Sequence, residues 1–181
     1  MLSPSFGEID LDQIEPKSYR AIVQAWCDQR EGRRFPLKEK IDPFVIPALA
    51  AHLLLYEIDG DDLIFRVVGD KVVTTAGVAL KGKTLLQAMG DTTYTRIIER
   101  QLKECATTGV PLYSIHDFQL PGEFVNPLSR KAWRIALPYG DDQGVTRLLC
   151  YQLFSREISA ASHEEIDFET LLPKTVFKIR L

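Results

Sequence analysis

Two strand-rich runs, "LLLYEI" (53–58) and "LIFRVVG" (63–69), are separated only by Asp59-Gly60-Asp61-Asp62. β-branched, aromatic and aliphatic residues on either side of a short Asp-Gly turn specify a β-hairpin. This hairpin commits the chain to a sheet. Upstream, Tyr19, Ile22, Val23 and Trp26 recur at helical spacing between Pro16 and Glu31, with Gly32 just beyond as a stop signal, so the pattern predicts an amphipathic helix. Between the two lies "RRFPLKEKIDPFVIPALAAH", where Pro36, Pro43 and Pro47 allow at most a short helix. Downstream, Lys71 to Asp91 is punctuated by Gly77, Gly82 and Gly90 and reads as short helical pieces. A second helix is expected from about Thr92 to Thr107, with Ile97, Ile98, Leu102 and Cys105 on one stripe and Gly109 closing it. Three more strands are expected over Pro111 to Leu120, Lys131 to Pro138 and Val145 to Phe154. The alternating "TVFKIRL" at the end reads as a strand pairing with this chain or with another copy.

A chain of 181 residues with 45% hydrophobic and 26% charged residues is long enough for one domain with a buried core. No run approaches the roughly 18 apolar residues of a membrane span. The acidic start, "MLSPSFGEIDLDQIEP", does not read as a signal peptide, so a cytoplasmic protein is expected. Cys27, Cys105 and Cys150 are isolated, which argues against structural zinc or a disulfide framework. A formal net charge of −3 with dispersed basic residues argues against nucleic-acid binding.

Gly77-Val-Ala-Leu-Lys-Gly82-Lys83-Thr84 matches the phosphate-loop pattern G-x-x-x-x-G-K-[ST]. Its context fails. A phosphate loop opens a long helix whose N-terminus meets the phosphates, whereas "LLQAMGD" reaches Gly90 and Asp91 within two turns. The interior Val78-Ala79-Leu80 is bulky where backbone must approach a ligand closely. The glycines are therefore read as turn residues.

The order of helix, two strands, short helices, longer helix and three strands resembles the PAS domain. Four features sharpen the resemblance to a stand-alone bacterial PAS-type family: Ile41-Asp42-Pro43 in a Pro-punctuated leading segment; Phe65, Arg66 and Gly69 in a strand; the Gly77 to Gly82 turn; and Leu137-Pro138 ending a late strand. Asp70 stands where that family often has a small hydroxyl residue. The resemblance spans about Phe35 to Phe154 and implies an α+β fold. Its elements are a five-stranded antiparallel sheet carrying short helices and one longer helix on one face, with the N-terminal amphipathic helix outside it. The expected division is 1–34 as a helical extension, 35–154 as the PAS-like domain and 155–181 as a C-terminal extension.

Arg66 and Arg134 each interrupt an apolar strand. Arg134 shares a face with Ala132 and Ala136, and Arg66 with Ile64 and Val68. A charge among apolar neighbours faces water, pairs internally, for example with Glu57 on the neighbouring strand, or meets a bound group such as a carboxylate. Tyr113, Trp133 and Tyr151 are candidate pocket aromatics or plain core. His116 alone of the three histidines falls on an internal strand. The resemblance makes it a candidate haem ligand, against the simpler reading of a hydrogen-bonded or solvent-facing histidine. No cysteine stands in the surroundings that a flavin photoreceptor of this type requires. Asp59, Asp61 and Asp62 lack the other ligands of a calcium loop. No cofactor or metal is assigned, and no catalytic assembly is evident.

The expectation is thus a cytoplasmic PAS-type sensory module, without an attached output domain in this chain. It binds a small ligand or protein partner and signals through a homodimer formed by the stripe Tyr19, Ile22, Val23 and Trp26. The alternative is a small cavity enzyme using a buried carboxylate or histidine as acid and base.

Overall fold

The computed structural model describes residues 6–118, 130–154 and 173–181. In chain order these form β1 (Phe6–Asp10), α1 (Lys17–Gln29), β2 (Leu53–Asp59), β3 (Asp62–Val68), α2 (Asp70–Ala76), α3 (Leu85–Met89), α4 (Thr93–Thr108), β4 (Leu112–Phe118), β5 (Arg130–Asp141), β6 (Gly144–Phe154) and β7 (Pro173–Arg180). The strands lie in the order β1-β7-β4-β5-β6-β2-β3. β1 runs parallel to β7, and every other neighbouring pair is antiparallel.

The sheet is therefore mixed and seven-stranded rather than antiparallel and five-stranded. The two added strands come from the ends of the chain, where β7 pairs in cis with β4, Tyr113 opposite Phe177, and β1 pairs with β7, Gly7 opposite Phe177. Without β7, β4 would end the sheet as a row of unsatisfied backbone groups, an arrangement that folded chains avoid.

Strand alternation sends successive side chains to opposite faces, and here both faces are covered. Even-numbered Ala132 and Ala136 of β5 and Leu148 and Cys150 of β6 join Tyr56, Phe65, Ile98, Leu102 and Cys105 in a core under α4. Odd-numbered Ile135, Leu137 and Tyr139 of β5 and Leu149 and Tyr151 of β6 form a second core with α1. Helices thus lie on both faces rather than one.

The α1 stripe belongs to this second core and not to a dimer contact. Tyr19, Ile22, Val23 and Trp26 are 0%, 3%, 0% and 1% exposed, buried against the sheet of the same chain. They are not surface available to a second copy, because the sheet face opposite α4 is itself apolar and α1 covers it. Polar groups fix the helix there. Trp26 Nε1 donates to the Pro138 carbonyl at 2.8 Å, and the Tyr19 hydroxyl lies 2.9 Å from the Tyr151 carbonyl and 3.0 Å from that of Trp133. Burial pushes the Tyr19 hydroxyl well above its ordinary pKa, so it remains a proton donor.

The phosphate-loop look-alike serves the edge of the sheet. Gly77 ends α2 in the left-handed region, φ 65°, and Gly82, φ 81°, turns the chain back along β3. Gly82 N–H donates to the Phe65 carbonyl at 2.8 Å and Phe65 N–H to the Lys83 carbonyl at 3.0 Å. The Thr84 hydroxyl accepts from Gln87 N–H at 3.2 Å, capping a helix of only five residues. The segment covers an exposed strand edge and leaves no cradle for phosphate.

Since the stripe is core, Val23→Asp should destabilise the chain by several kcal/mol, on the order of a buried unpaired charge, with a matching loss in the urea midpoint. A Val23→Asp variant that keeps native stability and changes only its size by chromatography would place the stripe at an interface instead.

Candidate functional site

α4 begins where the Thr92 hydroxyl accepts from Thr95 N–H at 3.1 Å and ends at Gly109 in the left-handed conformation. Between these caps its inner side buries Tyr94, Thr95, Ile98, Gln101, Leu102 and Cys105. Three of these, Tyr94, Thr95 and Gln101, carry polar groups; the Thr95 hydroxyl meets that of Thr92, while Tyr94 and Gln101 reach toward the sheet.

Beneath them lies Arg134, 7% exposed. Register sets Ser114 of β4 on one side of it and Gln152 of β6 on the other, and places Val176 of β7 beyond Ser114. Small Ala132 and Ala136 occupy the same face of β5, leaving the guanidinium room to lie under α4. Nη2 of Arg134 donates to Gln152 Oε1 at 2.8 Å and to the Tyr94 hydroxyl at 3.1 Å, and Nε lies 3.3 Å from the same Gln152 oxygen. Nη1 is buried without a partner among the described residues. So is Nε2 of Gln101, a residue only 4% exposed. Both residues line one cavity of about 10 Å³, together with Leu102, Leu112, Ser114, Ala136 and Val176.

The electrostatics of this cluster are uneven. Burial works against the charge on Arg134, while Tyr94 and Tyr56 nearby favour it, and the net direction is upward, so the guanidinium stays charged. No carboxylate lies within ion-pair distance of it among the described residues. Burial also raises the Tyr56 hydroxyl and the Cys105 thiol, and pushes the Cys150 thiol up to about 12. These thiols are inert core groups, Cys105 Sγ resting 3.6 Å from the Ala136 carbonyl.

The residues singled out in the sequence do not converge. Arg66 pairs with Glu57, which also holds Arg147 Nη2 at 3.0 Å, near the outer edge of the sheet. Tyr113 and Tyr151 belong to the opposite core, where Trp133 packs against them, and so do not share the Arg134 cavity. Their hydroxyls bond the carbonyls of Glu15 at 2.7 Å and Pro43 at 3.2 Å, tying the N-terminal segments to the sheet. His116 has its backbone on β4 opposite Ala132, and its side chain lies outside the described residues. His163 lies outside them altogether, and His52 Nδ1 is 3.1 Å from the Gln152 carbonyl. Of the aspartates in the first hairpin, Asp61 and Asp62 border an open cleft of about 250 Å³ beside Lys103 of α4.

Gln101, Ser114, Tyr94 and Gln152 were not singled out in the sequence. Gln101 had a legible signal, being polar three residues after Ile98 and four before Cys105 on an apolar stripe. Ser114 and Gln152 gain meaning only from strand register.

A family model described as "PAS domain" matches residues 14–123, more than half of the chain, and takes in α1. Among solved structures, the PAS domain from Bordetella pertussis BvgS is similar at a TM-score of 0.46 and 20% identity, covering 63% of this chain and 85% of that one. No curated protein matches the chain.

Removing a buried charge that lacks a counter-ion offsets the loss of its hydrogen bonds. Arg134→Met should therefore unfold at the same urea concentration as the native chain or a higher one. A loss above about 2 kcal/mol would make the guanidinium a structural tie rather than a binding group.

Proposed function

Because this chain belongs to the PAS domain family, whose members are generally sensory and signalling modules, we propose that it is a sensory module whose ligand binds between α4 and the sheet. The observation that carries this reading is the Arg134 guanidinium, buried with Nη1 unpartnered among the described residues in a cavity walled by α4, β4, β5 and β7. Stability alone gives no reason to bury a charge there, since its desolvation costs several kcal/mol. A bound group that accepts hydrogen bonds supplies the reason.

Arg134 and Gln152 meet under α4, and their chain neighbours Trp133 and Tyr151 present the carbonyls that Tyr19 of α1 engages on the other face. A ligand that draws Arg134 away from Gln152 shifts the same stretch of β5 and β6 on which α1 rests. Two arrangements of that stretch, one favoured by the ligand, would give the module its signal. The signal then passes to a partner protein or a second copy of the chain, in the cytoplasm. Among the described residues no helix is long and apolar enough to cross a membrane. Among the described residues, Tyr56, Cys105 and Cys150 near the site have pKa values displaced upward, away from neutrality, as does Arg134 itself. That favours binding over acid/base catalysis.

Native against denaturing mass spectrometry of freshly purified protein, with an absorption spectrum of the same sample, checks the reading. The expected result is a small-molecule mass that is retained by the native chain and missing from Arg134→Met. Equal retention by both proteins would remove Arg134 from the site.

A further inference from the structure

The size and the charge of the space beneath α4 together limit what it takes. Arg134 Nη1 and Gln101 Nε2 are buried without a partner among the described residues, and both residues line one cavity of about 10 Å³. That is room for one water-sized occupant. An anion of several heavy atoms, such as a carboxylate or a phosphate, does not fit, whereas a monatomic ion is a single sphere. Resting on the reading that ligand binds beneath α4, we infer that this space is a halide site whose occupant is chloride, held by Arg134 Nη1 and Gln101 Nε2.

The sign of the ion follows from the atoms left over. Both are N–H donors, which a cation cannot satisfy. A water molecule accepts from both but leaves the guanidinium charge unanswered, because the protein partners of Arg134, Gln152 Oε1 and the Tyr94 hydroxyl, bring no negative charge. One monatomic anion satisfies both donors and the charge at once. Ser114, 3% exposed, lines the same space and adds a hydroxyl that can donate to it. The remaining walls choose among the halides. Leu102, Leu112, Ala136 and Val176 offer the ion no side-chain hydrogen bond, so it enters with most of its hydration stripped. Fluoride, the most strongly hydrated halide, loses most by that step. Bromide and iodide are progressively too wide for a space that suits one water, and chloride remains. The condition reported by the sensory module is then the halide content of its surroundings.

The test is thermal unfolding of the full chain in sodium gluconate, replaced stepwise by sodium chloride, bromide or iodide at constant ionic strength. The native chain should show a saturable rise in midpoint with chloride, a weaker one with bromide and none with iodide. The chloride rise should vanish in Arg134→Met. In Gln101→Leu half-saturation should need about tenfold more chloride, the loss of one hydrogen bond to a charged group. A chloride rise that persists in Arg134→Met would put the ion elsewhere and overturn the site. So would a rise that grows from chloride to iodide, the order of loose surface adsorption. Unchanged half-saturation in Gln101→Leu would overturn the two-donor geometry. If no halide shifts the midpoint while native mass spectrometry finds a retained small molecule lost from Arg134→Met, the chloride assignment is wrong and the sensory reading stands. If neither a halide effect nor a retained molecule is found, both fail.

Discussion

β5 and β6 pair over almost their whole length, from Ala132 opposite Phe154 to Asp141 opposite Gly144, and this ladder sets what each face of the molecule contains. It lies near the middle of the sheet, with β4, β7 and β1 on one side and β2 and β3 on the other. Because side chains alternate, residues adjacent in sequence belong to different cores: Trp133 packs with the α1 core while Arg134 lies under α4, and Tyr151 and Gln152 divide in the same way. A register shift of one residue would send every side chain of the pair to the wrong core. The same alternation makes the ladder the shortest physical route between the two faces.

The two arginines noted in the strands show how position decides worth. Arg66 and Glu57 form an ion pair on the solvent-accessible margin, shared with Arg147, of a kind that contributes about 0–1 kcal/mol. Arg134 is almost fully withdrawn from water and meets only neutral oxygens. Its burial works against stability unless something else answers the charge. An arrangement that detracts from the fold while holding donors toward a cavity is why Arg134 and not Arg66 anchors the proposed function.

Much of the architecture was legible because it rests on local signals. The Asp-Gly turn and its flanking runs identified β2 and β3, and the Ile98, Leu102 and Cys105 stripe with Gly109 identified α4. The resemblance to the PAS domain rested on the order of such elements. What was not legible depends on distant pairing. That "TVFKIRL" joins β4, and that Phe6–Asp10 joins it in turn, follows from long-range contacts for which neither segment carries a label. The α1 stripe was visible, but an amphipathic helix does not state which surface covers it. Here the sheet face behind Arg134 does so. Alternation placed Arg134 with Ala132 and Ala136 correctly, yet its neighbours Ser114 and Gln152 are fixed by register and Gln101 by the packing of α4, and none of these is encoded near residue 134.

The central claim is that the Arg134 site and α1 are coupled through the β5–β6 ladder. Amide nuclear magnetic resonance of the native chain and Arg134→Met tests it most directly, read at the backbone of residues 17–29 and at the Trp26 indole N–H, which donates to the Pro138 carbonyl. The account predicts that the substitution moves the resonances around Tyr19 and Trp26 although they lie on the other face of the sheet. Shifts confined to α4 and the strand residues beneath it would contradict it.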